Sequence, residues 1–489
     1  MSCLAAAAAI ALVAGPLGVA WLRIVGVIIA VAGACARVVI AVQRARLEGK
    51  REKAEFAGRC RVAVKPIGEI DPTLIGVDPA AQTILAGGEV PDYVGRTVDE
   101  TLREAVAAAL DGGGRWLVVV VGGSKVGKSR TLFQALREAA PVGGLAFLAP
   151  VDGAALRSLL TPGQGVGGLA DRAVLWLDDL EPFLNQGVTL QTLREWHAGR
   201  IGRIVAATYG GKGSELIAPS SGLTTIASDV LQHACEIPLE ETTADELSGF
   251  RSRLSDREFE DVERHGLAAY LVAGPALERK LITGRHAPGE DACREGVAVV
   301  YAATDWARCG RTDPLSEEML RGLWPSHLPA GIRATDDVFD VGLAWALRPV
   351  AGTIALLQRT GSYQAYDYVV RLVRDKPGAE APRDPSWTAA LQTATDVQAF
   401  AVGMAAYGWS RFEDAMTGLA RARESSIDQV AVTAGYNLGA VLGELERSVE
   451  AIGVYDEVVA RFADAPDPAL REAVAWALSA RQETEEGAD

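Results

Sequence analysis

Eight consecutive residues, Gly122-Gly123-Ser124-Lys125-Val126-Gly127-Lys128-Ser129, fit the pattern G-x-x-x-x-G-K-[ST]. Each residue type in that pattern suits the gripping of phosphate. Glycines let the main chain come close to an anion and turn its amides toward it. Lys128 is placed to reach outer phosphates, and the Ser129 hydroxyl is a ligand for Mg²⁺. Arg130 follows in the first turn of the helix that the loop opens, where the helix dipole favours negative charge. A second acidic group follows some fifty residues on: Ala173-Val174-Leu175-Trp176-Leu177 runs into Asp178-Asp179-Leu180-Glu181. Asp178 is the candidate carboxylate on the metal. Asp179 is the candidate to orient or activate an attacking water, with Glu181 a second choice.

Such groups work only if strands and helices bring them together. Trp116 to Val121 is an unbroken apolar run with four valines, and reads as a buried strand. Arg130 to Ala139 has apolar residues at helical spacing. Strand, glycine loop and helix are the context the motif requires. From 116 to 239 the two periodicities alternate. Strands are predicted at 116–121, 145–149, 173–178, 203–208 and 234–239, and helices at 128–139, 153–160 and 189–198. That alternation predicts a parallel sheet covered on both faces, with the ligand at the carboxyl ends of its strands. Thr208 ends one strand. Its hydroxyl either faces the phosphates or simply fills the strand as a β-branched residue.

Composition narrows the function further. The 489 residues suffice for two to four domains, and the net charge of −15 disfavours a nucleic-acid partner. Asn occurs only at 185 and 437, so no Asn-Lys-x-Asp guanine-reading motif exists. The six cysteines are scattered, without C-x-x-C spacing, and the five histidines do not cluster. Neither set reads as a disulfide framework or a zinc site.

Residues 3–42 are dominated by Ala, Val, Ile, Leu and Gly, with Arg23 and Arg37 the charged exceptions. A bilayer helix needs about 20 such residues. Two helices, at 4–21 and 24–42, or one at 19–39, fit the pattern. Arg44, Arg46, Lys50, Arg51 and Lys53 then mark a cytoplasmic flank. Two rival readings are an export signal ending near Ala32-Gly33-Ala34-Cys35-Ala36 and a buried soluble hairpin. Residues 52–88, interrupted by Pro66, Pro72 and Pro79, read as a linker. Thr97–Leu110 reads as a helix.

After Glu240 the pattern turns helical: 243–254, 256–270, 274–281, 291–307, 315–323 and 337–347 are predicted helices, forming a lid and then a small helical or winged module. The C-terminal third repeats itself. Val402-Gly403 recurs as Leu438-Gly439, Ala415 as Ala451, and Leu419 as Tyr455, each 36 residues on. Small residues at fixed places are what a tightly packed helix pair requires. The pattern resembles the tetratricopeptide repeat, whose period is about 34.

Taken in order, these parts resemble the STAND class of signal-transduction ATPases, of the actinobacterial membrane-anchored kind. Tyr93-Val94-Gly95-Arg96 is similar to the V-G-R box that precedes the glycine loop in AAA+ and NB-ARC-type ATPases. Gly122–Ser129 and Leu175–Asp179 are similar to their Walker A and Walker B motifs. Gly274-Pro275 resembles the Gly-x-Pro element of the lid, without the intervening residue. The resemblance implies an α/β P-loop NTPase core with strand order 5-1-4-3-2, then an all-α lid, then an α-solenoid of repeats, behind an N-terminal transmembrane helix or hairpin. The expected divisions are 1–43 for the membrane segment, 44–90 for the flank and linker, 91–240 for the NTPase domain, 241–350 for the lid and winged-helix-like module, and 351–489 for the repeats. It further implies ATP or ADP with Mg²⁺ as cofactors, and adenine contacts from Val94 and Arg96, largely through backbone, and from Pro275. Asp179 and Lys128 would be catalytic, and Ser129 and Asp178 would hold the metal. A protein or peptide partner on the repeats and a nucleotide-dependent homo-oligomer complete the expectation. Two other functions fit the same motifs: a nucleotide-stabilised scaffold with little turnover, and a hexameric mechanochemical ATPase.

Overall fold

The computed structural model describes residues 56–78, 93–140, 144–161, 171–210, 225–248, 251, 254–286, 292–350, 354–359, 361–376 and 378–488. The apolar segment 3–42 and its basic flank lie outside them. Among the described residues, no helix is long and apolar enough to cross a membrane.

The valine run forms β2 (Leu117–Val121), and all five residues are buried. It pairs in parallel with β5 (Arg203–Tyr209) on one side and β6 (Cys235–Pro238) on the other. Beyond β5 lies β4 (Ala173–Leu177), then β3 (Ala146–Leu148), both parallel. Counted from the glycine-loop strand, the order is 5-1-4-3-2, as the resemblance implied. One strand, β5, therefore separates the glycine loop from Asp178.

An uninterrupted apolar run is required because both faces of the sheet are covered. Val118 and Val120 pack with Leu102, Val106 and Leu110 of α1 (Asp99–Leu110) and with Leu132, Phe133 and Leu136 of α2 (Lys128–Ala139). Leu117, Val119 and Val121 belong to the opposite core. There Leu156 and Leu159 of α3 (Gly153–Leu160) lie with Leu180, Phe183 and Leu184 of α4 (Leu180–Leu184). Leu193 and Trp196 of α5 (Leu190–His197) and Val230 and Leu231 of α6 (Ile226–Gln232) complete that layer. Each such side chain contributes about 1.5–3 kcal/mol by leaving water.

The expected linker is corrected by the fold. Residues 56–78 are a strap laid along the sheet. Its short strand β1 (Lys65–Pro66) adds an antiparallel edge to β3. Ile67, Ile70 and Ile75 are buried with Phe133, Phe147 and Trp176, and the Trp176 indole donates to the Ile75 carbonyl at 2.9 Å.

Beyond β6 come α7 (Ala244–Leu247), α8 (Asp256–His265), α9 (Leu267–Leu271) and α10 (Gly274–Arg285). The single helix expected over 256–270 is two, because Gly266 has φ 81° and turns the chain. Then α11 (Arg294–Arg308), α12 (Glu317–Leu323) and α13 (Asp336–Leu347) precede a hairpin of β7 (Leu357–Arg359) and β8 (Tyr363–Ala365), followed by α14 (Asp367–Arg374). Tyr363, Tyr368 and Val369 share one apolar cluster with Val299, Trp306 and Phe339. Helices, hairpin and α14 thus form one winged module, which runs through the boundary expected at 350.

The last part is helical throughout: α15 (Asp384–Thr393), α16 (Asp396–Gly408), α17 (Phe412–Ala422), α18 (Asp428–Glu444), α19 (Ser448–Phe462) and α20 (Pro468–Ala488). The internal repeat has a steric basis. A Cβ on Gly403 would lie 3.1 Å from Leu419, and one on Gly439 would lie 2.4 Å from the Tyr455 ring, the corresponding residue of the next helix pair. Val430 through Gly435 are buried without a break, because α18 packs on α19 and also shares an apolar cluster with Ile226 and Val230 of the sheet layer.

Candidate functional site

The glycine loop leaves β2 at Gly122, where a Cβ would sit 2.2 Å from the Leu239 carbonyl oxygen. No side chain fits there. Gly127, at φ 100°, caps α2, and its carbonyl receives the Thr131 amide. Between them Lys125 takes φ 59°. Lys128 is buried, and its ammonium donates to the Gly123 carbonyl at 2.8 Å, which draws the loop around it.

The acids arrive from the neighbouring strand ends. Ser129 Oγ donates to Asp178 Oδ1 at 2.5 Å. Thr208, at the end of β5, donates to the same oxygen at 3.2 Å and accepts from the Asp179 amide at 2.8 Å. Its hydroxyl therefore ties both acids to the strand between them. Glu181 accepts from the Gly210 amide at 2.6 Å and does not line the cleft, whereas Asp178 and Asp179 do. Of the two candidates for the attacking water, Asp179 is the one that lines the cleft.

Too many acids share this space for all to ionise freely. Burial, then the Asp179 charge, push the Asp178 carboxyl up to about 6, against the pull of the Ser129 hydroxyl. Enclosure by the cleft, then the Asp367 carboxylate, raise Asp179. Burial and Asp179 push Glu181 up to about 7. A cation relieves such crowding. A hydroxyl and a carboxylate side by side, both hard oxygen donors, fit Mg²⁺, which takes one or two protein ligands and completes its shell with water and phosphate. Ser129 and Asp178 would hold it.

The cleft encloses about 980 Å³ of atom-free space, its open mouth included. Gly123 is not among its lining residues; Lys125, Val126, Gly127, Lys128, Ser129 and Arg130 are. Tyr93 and Val94 line it beside an apolar wall of Leu267, Ala268, Leu271 and Val272 from α9 and its end. The Tyr93 hydroxyl donates to Asp99 at 2.5 Å.

Arg96 lines the cleft, but its guanidinium is held by the Val126 carbonyl at 2.9 Å, the Glu240 carbonyl at 2.7 Å and Glu246 at 3.2 Å. It ties the glycine loop to the start of the lid. One expectation, that for Pro275, needs correcting. Pro275 is buried in the first turn of α10 and does not line the cleft; the apolar wall comes from the preceding helix.

Other residues here escaped sequence reasoning. Asp78, at the end of the strap, pairs with Lys125 at 2.8 Å. Asp367 and Arg371 of α14 bond the Ser124 hydroxyl and carbonyl respectively, and Arg371 also pairs with Glu241 at 3.0 Å. Ser124 is thus taken by the winged module. No motif marks these residues. The one available signal was the apolar helical run at 267–272.

No protein-family model matches the chain, and none of the curated proteins does. Among solved structures the chain is similar to the Walker-type ATPase PABY2304 of Pyrococcus abyssi, at 12% identity and a TM-score of 0.27, over 61% of this chain and 98% of that one. The parallel sheet, its strand order and the glycine loop fit a P-loop NTPase core joined to a helical region.

Proposed function

We propose that this chain is a membrane-anchored, ATP-binding and ATP-hydrolysing signalling switch of the STAND type, with tetratricopeptide-like repeats that recognise a protein or peptide partner. The observation that carries the nucleotide site is the 2.5 Å pair of Ser129 and Asp178 beside Lys128, at the carboxyl ends of parallel strands. Loop amides and Lys128 take the phosphates. Ser129 and Asp178 would hold Mg²⁺, which would supply charge neutralisation at the phosphates. Asp179 orients the attacking water. Tyr93, Val94 and the Leu267–Val272 wall receive an apolar base face, and the lack of a guanine-reading motif favours adenine.

The switch rests on the contacts of α14 with Ser124, which join the winged module to the loop that ATP or ADP would occupy. Activated subunits would associate, and residues 1–43 would tether the chain to the membrane with its bulk in the cytoplasm. Replacing Lys128 by Ala should abolish ATP binding; retained wild-type affinity would refute the site.

A scaffold function has one observation in its favour. The strap, sheet, lid and winged module all line the cleft, so a bound nucleotide would cement them whether or not it is cleaved. Asp179→Asn separates the two readings. Loss of signalling with intact nucleotide binding supports the switch; full signalling supports the scaffold.

A further inference from the structure

Lys125 has no part in the chemistry above, yet the fold keeps it in a left-handed conformation that glycine adopts far more readily. Strain of this kind at a ligand cleft is worth explaining by function. The side chain lines the same cleft as Lys128. Asp78 Oδ2 lies 2.8 Å from its ammonium. The Tyr366 ring lies beneath, its centroid 4.7 Å from Nζ, and the Tyr366 hydroxyl donates to the other Asp78 oxygen at 3.3 Å. Burial alone would favour the neutral amine. The charge of Asp78, with Tyr366 and Asp367 beside it, outweighs that and keeps the ammonium protonated.

Asp78 is more than a local partner. It directly follows strap residues that rest on the acid cluster. Gly76 packs so closely on Asp178 that a Cβ there would lie 1.6 Å from Oδ2. Ile75 accepts the Trp176 indole. The Lys125–Asp78 pair therefore fastens the strap over the carboxylate expected to face Mg²⁺.

We infer that Asp78 stands in for the terminal phosphate of a nucleoside triphosphate: the triphosphate draws Lys125 away from Asp78 and loosens the strap, and a diphosphate leaves the pair intact. This rests on the reading of the cleft as a nucleotide site. A phosphate carries more charge and more acceptor oxygens than one carboxylate, so it wins the ammonium when it is in reach. The pair then sets the preference for triphosphate over diphosphate, and it couples that preference to residues 56–78.

The test uses the full chain with Mg²⁺ and a fluorescent N-methylanthraniloyl ADP, displaced either by ADP or by the non-hydrolysable β,γ-imido analogue of ATP. Asp78→Asn should tighten the triphosphate analogue about tenfold, the worth of one freed charged hydrogen bond, with ADP changed less than about twofold. Lys125→Met should bring the two ligands to within about threefold of each other. In the wild type, hydrogen exchange of the 67–77 amides should quicken with the triphosphate analogue and not with ADP. An unchanged triphosphate-to-diphosphate ratio in Asp78→Asn, or equal strap exchange with both ligands, overturns the inference. Should Asp78→Asn fail to fold, Lys125→Met and the exchange measurement decide. Lys128→Ala separates the layers: wild-type affinity there removes the nucleotide site itself, whereas lost binding there with an unchanged ratio in Asp78→Asn removes only the role of Asp78.

Discussion

Replacing Gly76 by Ala probes the strap where it meets the acid cluster. Two effects add. The residue sits at φ 104°, where an L side chain is strained by about 1–2 kcal/mol. The new methyl would also lie 1.6 Å from Asp178 Oδ2 and 2.4 Å from Cγ, so something must move. If Asp178 rotates, it gives up the Ser129 and Thr208 hydrogen bonds, each worth about 1.5–3 kcal/mol to a charged acceptor. If the strap lifts, fully buried Ile75 and nearly buried Val77 return toward water at about 1.5–3 kcal/mol each, and the Trp176 bond is lost. The cheaper route still gives a total of roughly 4 kcal/mol or more. Urea denaturation of the full chain measures it. Gly68→Ala is the control on the same strap, since a Cβ there meets nothing within 4 Å, and it should stay within about 0.5 kcal/mol of wild type. Equal midpoints for Gly76→Ala and wild type would show that the strap does not rest on Asp178.

Three further outcomes are expected. Burial opposes ionisation of Glu246, but the Thr97 hydroxyl and amide, the Thr243 amide and Arg96 outweigh it and hold the carboxyl at about 2 rather than 4.5. A depressed acid stabilises the fold above its unfolded pKa and loses that contribution as pH falls, so stability should drop between about pH 4.5 and pH 2. Glu246→Gln should flatten the stability profile across that window; an unchanged slope would refute the assignment. Thr208→Val removes the hydroxyl shared by Asp178 and the Asp179 amide, and single-turnover hydrolysis should slow by about tenfold or more while nucleotide affinity stays within about threefold. Gly439→Ala drives a methyl to 2.4 Å from the Tyr455 ring and should destabilise by about 1–3 kcal/mol, whereas Gly443→Ala, in open space on the same helix, should stabilise by about 0.5–1 kcal/mol in the same denaturation assay.

The central sheet was legible because its strands have no polar face. A run such as Leu117–Val121 has few other folds available to it, and β3 to β6 followed from the same logic to within two residues. The loop and the Asp178 strand end carried their own chemistry. The strap did not announce itself. Its strand is two residues long and includes Pro66, and its buried isoleucines are separated by Gly, Glu, Asp and Pro, so neither periodicity appears. Asp367 was invisible for a different reason. It stands 243 positions from the Ser124 it touches, and only the folded winged module brings the two together. Arg96 was found by its motif, but the loop carbonyl that its guanidinium holds lies 30 positions away and no pattern marks it.

The apolar cluster that α18 shares with the sheet layer joins the C-terminal helices to the core. Its members include Ile226, Val230 and Leu231 on one side and Val430, Leu438 and Leu442 on the other. A fragment ending before α15 would bare that oily surface and would be prone to aggregate. Calorimetry of the intact chain should accordingly trace a single melting event across core and C-terminal helices.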